Sequence, residues 1–106
     1  METQEQINKV LSTMGEKLEF SSETILAIPG FDLYSIQSYD SPYDIKKQDF
    51  YFQLSLRDFI DNGFAKGDTF IYKNLSREYE FTLDSFTDLL DGWIEIQAKL
   101  GAVTNV

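Results

Sequence analysis

The chain contains neither cysteine nor histidine. Without cysteine it holds no disulfide, no thiolate metal site and no thiolate nucleophile. Without histidine it lacks the side chain that most often serves as general base near neutral pH. Bases are also scarce, with 18 Asp and Glu against nine Lys and Arg and a formal net charge of −9. From Glu78 to Ala98 the acids Glu78, Glu80, Asp84, Asp88, Asp91 and Glu95 occur with no base among them. A surface of that sign repels phosphate and has no basic patch for counterion release, so ordinary nucleic-acid binding is not expected. It suits instead a basic protein partner, mimicry of nucleic acid, or a passage to which DNA must not adhere, and it also serves simply to keep a domain soluble. No stretch approaches the ~18 apolar residues of a membrane span. Residues 1–20 hold no continuous apolar run of signal-peptide length. The expectation is a soluble protein, intracellular or virion-internal. With two prolines and six glycines there is no low-complexity linker, and no internal repeat is visible.

What is present is apolar and aromatic: 42% hydrophobic and 15% aromatic residues, ample for one domain over 1–106. Ile7, Val10, Leu11 and Met14 recur at helical spacing and predict a helix over 3–15. Thr3 and Gln6 fit a capping box, and Gly15 fits a left-handed C′ position. The period then shifts toward two. Lys17–Phe20 and Thr24–Ile28 read as strands, Pro29-Gly30 as a turn, and Phe31–Tyr39 as a strand with a bulge near Leu33-Tyr34. Residues 40–48 read as a surface loop carrying the adjacent pair Lys46-Lys47, either a binding loop or a plain connector.

The stretch from Asp49 to Lys99 is the most regular. Phe50, Phe52, Leu54 and Leu56 are expected on one face, with Tyr51, Gln53, Ser55 and Arg57 on the other. A helical turn closed by Asn62-Gly63 follows. Gly67 then supplies a positive φ and Asp68 bonds its own turn at the start of a strand through Lys73. Residues 74–77 turn the chain. Glu78–Asp84 returns with Tyr79, Phe81 and Leu83 inward and Glu78, Glu80, Thr82 and Asp84 outward, and Trp93–Ile96 is the closing strand. The fold class is mainly β (α+β): an N-terminal helix, then a small antiparallel β-barrel or sandwich of six to seven short strands over 17–100.

Chemistry finds little footing. Asp58 with Asp61, and Asp88 with Asp91, are spaced to converge, yet acids at that spacing usually form solvated faces or caps. Asp84, Asp88 and Asp91 with Ser85 and Thr87 supply hard oxygens, but their spacing does not match the alternating loop that wraps calcium. Gly67-Asp68-Thr69 is no phosphate loop. Tyr34, Tyr39, Tyr43, Tyr51 and Tyr72 lack the basic groove of a stacking platform and read as core-edge or interface residues. No catalytic residue, cofactor or metal is expected.

The runs D-F-Y-F-Q-L-S-L-R-D, G-D-T-F-I-Y, R-E-Y-E-F-T-L and D-G-W-I-E-I resemble the small head–tail joining (head-completion, neck) proteins of tailed bacteriophages. The likeness spans 25–100, and Ile25–Phe31 sits where such proteins place an early strand. The resemblance implies a non-enzymatic virion protein, assembled in the bacterial cytoplasm, that forms a ring with copies of itself between the portal (connector) and the tail. DNA would pass through without adhering. Glu78, Glu80, Asp84, Asp88, Asp91 and Glu95 are then the candidate lining of that passage. Tyr39, Tyr43, Asp44, Lys46 and Lys47 form the candidate partner-binding loop. Rival readings are another tail component, such as a tail terminator, and an acidic inhibitor that mimics nucleic acid at a basic site on a host protein.

Overall fold

The computed structural model describes residues 3–30, 49–74 and 76–105. Helix α1 (Gln4–Met14) starts at the expected capping box: Gln6 N–H donates to Thr3 Oγ1 at 3.2 Å and Thr3 N–H to Gln6 Oε1 at 2.8 Å. Its apolar stripe is narrower than the sequence suggests. Ile7 and Leu11 are buried, Val10 is half-buried, and Met14 is 61% exposed. Gly15 departs from the left-handed expectation, with φ −77 and ψ 150. Close approach selects glycine there: an added Cβ would meet the Leu11 carbonyl oxygen and come within 3.3 Å of Leu26 Cβ.

Six antiparallel strands follow: β1 (Glu16–Phe20), β2 (Glu23–Pro29), β3 (Asp49–Ser55), β4 (Thr69–Asn74), β5 (Arg77–Asp88) and β6 (Trp93–Asn105). They close into a barrel in the order β1-β2-β3-β6-β5-β4, with β4 returning to β1 through Leu18↔Tyr72 and Glu19↔Ile71. The Phe20↔Glu23 pair closes the β1–β2 hairpin around Ser21 and Ser22, both at positive φ (49 and 70), the pattern of a type I′ turn. β3 shows the expected parity up to Leu54. Ser55, expected to face out to solvent, is fully buried because α1 covers it, with Gln4 Nε2 donating to its Oγ at 3.0 Å.

Leu56 leaves the strand pattern and opens α2 (Leu56–Asp61), which ends at Asn62 before Gly63 at φ 67. Gly67 has the expected positive φ of 94, and Asp68 Oδ2 accepts the Ala65 N–H at 2.8 Å. β5 and β6 outrun their expected ends at Asp84 and Ile96. Bulges between Glu80 and Phe81 and between Leu83 and Ser85 let their pairing continue from Arg77↔Asn105 to Asp88↔Ile94. The expected strand over 31–39 and its bulge lie outside the described residues.

The barrel interior is aromatic. Phe52 lies at its centre, edge-on to Phe70 at 5.4 Å, Phe81 at 5.2 Å and Tyr72 at 6.0 Å. At the α2 end, Phe64 stacks on Phe20 at 4.1 Å and on Phe59 at 5.6 Å, and Phe59 reaches Phe86 at 5.0 Å, so that these rings plug the barrel. Ile7 and Leu11 are buried apart from this cluster, because α1 lies outside the strands between β2 and α2. Among the described residues no helix is long and apolar enough to cross a membrane.

Candidate functional site

The pairing register decides where the six acids of the Glu78–Glu95 run fall, since directly paired residues share a face. Glu78 pairs with Lys73 and Thr104, Glu80 with Ile71 and Ala102, and Glu95 with Gln53 and Thr87, all on the outer face. Asp84 sits in the bulge between Leu83 and Ser85, half-buried. Asp88 pairs with the buried Ile94, so the register turns it to the opposite side, and Asp91 is in the β5–β6 turn. The strands therefore bring Glu78 and Glu80 together at one end of the outer face, place Glu95 roughly 20 Å along it, and send Asp88 and Asp91 elsewhere.

The run is also not free of bases in three dimensions. Lys73 Nζ on β4 lies 3.0 Å from Glu19 Oε1 and 3.5 Å from Glu78 Oε1. The hydrogen bond to Glu19, reinforced by its charge and by Glu78, holds the Lys73 amine above its ordinary value. Lys99 of β6 stands on the same outer face, between Asp49 and Thr82. Between the charged ends the face is hydroxyl- and amide-rich, with Ser85 Oγ donating to Gln97 Oε1 at 3.1 Å.

Tyr39, Tyr43, Asp44, Lys46 and Lys47 lie outside the described residues, as does Tyr34. Of the remaining tyrosines expected at a core edge or interface, Tyr51 is 38% exposed, whereas Tyr72 is wholly internal. Burial, then the nearby Glu16 charge, push the Tyr72 phenol up to about 12 against the opposing hydrogen bond from Asn74. The Tyr79 hydroxyl is also buried, with no hydrogen-bond partner among the described residues.

Of the carboxylate pairs, Asp58 is raised above its ordinary value first by burial and then by Asp61, with Arg57 opposing. Asp88 Oδ1 is taken up locally as acceptor for the Leu90 N–H at 2.8 Å. Among the described residues no group of three or more acidic side chains is placed to hold a metal ion. The surface clefts are open; the one of mixed charge, about 560 Å³, lies between Gly15, Lys17, Glu19, Thr24 and Lys73.

A feature that the sequence reading did not single out is the β5–β6 turn itself. Leu90 is 82% exposed and adopts φ 71, and Leu89 and Phe86 are exposed beside it. Two adjacent leucines in a turn bounded by aspartates were the available signal. No family model, curated protein or solved structure matches the chain.

Proposed function

We propose that this chain is a non-enzymatic assembly subunit, a head–tail joining protein of a tailed bacteriophage that acts as a ring in the virion neck. The observation that carries the reading is the β5–β6 ribbon. β5 stays paired with β4 there, but β6 runs on past Asp49 of β3, and among the described residues Gly101–Asn105 of β6 pairs only with β5. That edge carries no charge and no proline, the devices that usually blunt a strand edge, so it offers main-chain hydrogen bonds to a neighbouring copy. In a ring such contacts are heterologous and closed by rotation. The rigid aromatic barrel supplies a scaffold for that contact.

The candidate passage lining narrows to Glu80, Asp84 and Glu95, since Glu78 is engaged by Lys73 and Asp88 and Asp91 leave the outer face. An acidic mimic needs carboxylates spaced over one face, and the register divides them between two sides and a turn.

The test is genetic. Particles assembled without the protein are expected to accumulate as heads and free tails that join when the protein is supplied. Normal tailed particles in its absence would overturn the reading. Glu80→Lys with Glu95→Lys is expected to leave the fold intact and impair DNA retention or ejection. Unchanged infectivity of that variant removes the passage lining alone.

A further inference from the structure

At the plugged end of the barrel, large apolar side chains are exposed at the surface. Leu90 is 82% exposed, Ile60 64%, Phe86 51% and Leu89 38%. They belong to two elements tied together. The Leu56 N–H at the start of α2 donates to the Gly92 carbonyl at 2.9 Å, and Phe59, next to Ile60, lies 5.0 Å from Phe86. We infer that this tip, centred on Leu90, is a docking surface for a partner protein that offers an apolar pocket rimmed by lysine or arginine.

The turn is built to hold Leu90 out. A leucine at φ 71 is strained where glycine would not be. Strain of this kind persists only where surrounding contacts over-determine it. Here Asp88 Oδ1 accepts the Leu90 N–H at 2.8 Å, the Leu89 N–H donates to the Trp93 carbonyl at 3.0 Å, and Gly92 takes φ 85 with no room for a Cβ beside Ile7. A large apolar side chain held at a protruding point, with Leu89 and Phe86 exposed beside it, has the form of an interface anchor.

Charge selects the partner. Exposed acids sit beside these residues in the chain: Asp61 follows Ile60, and Asp88 and Asp91 bracket Leu89 and Leu90, while Asp58 lines the cleft between α1 and β2; Arg57 and Lys66 are the bases on the α2 stretch. Apposing two such tips in a symmetric pair would bring like charges together, and an anionic lipid surface is repelled in the same way. A basic rim satisfies the acids while a pocket takes Leu90. The inference stands on this geometry and does not depend on the proposed place in a virion.

Leu90→Gly is the informative variant, because it removes the anchor while relieving the strain. It is expected to melt at the same temperature as the parent or higher. The probe is a synthetic amphipathic helix of leucine and lysine, with its leucine–glutamate counterpart as control, and binding is followed by backbone amide shifts. The lysine peptide is expected to shift residues 59–61 and 86–92 and to bind Leu90→Gly about tenfold more weakly. Asp61→Asn with Asp91→Asn is expected to weaken binding and flatten its salt dependence, and the glutamate peptide to leave the spectrum unchanged. Shifts spread over the acids of the barrel wall, or equal binding by Leu90→Gly, would overturn the assignment. So would self-association of the parent that Leu90→Gly abolishes, since that makes the occupant a second copy.

Discussion

Truncating Phe52 to alanine probes the barrel at its centre. The side chain is fully buried and meets Phe70, Tyr72 and Phe81 edge-on. Removing a buried phenylalanine costs about 3–5 kcal/mol when the site cannot collapse. Edge-to-face ring pairs add roughly 0.5–1.5 kcal/mol each beyond buried area, and part of that is already inside the measured range. The strands are hydrogen-bonded around a closed ring, which limits relaxation into the void. The expected loss therefore falls in the upper half of the range, about 4–5 kcal/mol. Against a total stability of about 5–15 kcal/mol for a small domain, this leaves the variant close to unfolding at room temperature. Urea denaturation followed by far-UV circular dichroism and by the fluorescence of Trp93 measures it. The midpoint should drop with an unchanged slope, which assigns the effect to stability and not to a changed denatured state. Tyr51→Ala, on the adjacent position but 38% exposed, is expected to lose less than ~1 kcal/mol. A loss under ~1 kcal/mol for Phe52→Ala, or a larger one for Tyr51→Ala, would refute the inward and outward assignment of β3.

Other tests bear on turns, helix docking and pH. Ser22→Gly is expected to stabilise the fold by about 1 kcal/mol, because Ser22 at φ 70 occupies a conformation that glycine adopts freely; a lower melting temperature would contradict the hairpin geometry. Gly92→Ala is expected to destabilise by about 2 kcal/mol, since it strains φ 85 and places a Cβ 2.7 Å from Ile7 Cδ1. An unchanged urea midpoint would show that α1 does not rest on the β5–β6 turn. Tyr72 sets an alkaline limit. Its phenol is raised in the folded state, from an ordinary value of 10.0 to about 12, so its stabilising effect is complete below pH 10 and is lost as pH rises toward 12. Urea midpoints should fall across that window and fall less steeply in Tyr72→Phe; an equal fall in both would assign the effect elsewhere.

What the sequence made legible was local. The Thr3–Gln6 capping box, the alternation of Phe50, Phe52 and Leu54, and the Gly67-Asp68 turn each depend on residues within a few positions, and each stands as expected. The closure that places β3 beside β6 and returns β4 to β1 rests on pairings between distant residues, which alternation alone cannot order. Bulges hid the true lengths of β5 and β6, because each insertion resets the parity from which a strand end is read. Gly15 was correctly seen as the end of α1 but for the wrong reason, since its constraint comes from the Leu11 carbonyl and the distant Leu26. The acidic run suffered most. A stretch of chain without a base becomes, once folded, a surface that Lys73 enters from β4 and that Lys99, just beyond the run on β6, shares.

The proposed role reduces to one property: copies of this chain bind one another and a portal ring. Light scattering of the purified protein, alone and mixed with the cognate portal, measures it directly. The expected result is a complex carrying several copies of the chain per portal ring. A protein that stays monomeric and leaves the mass of the portal unchanged contradicts it.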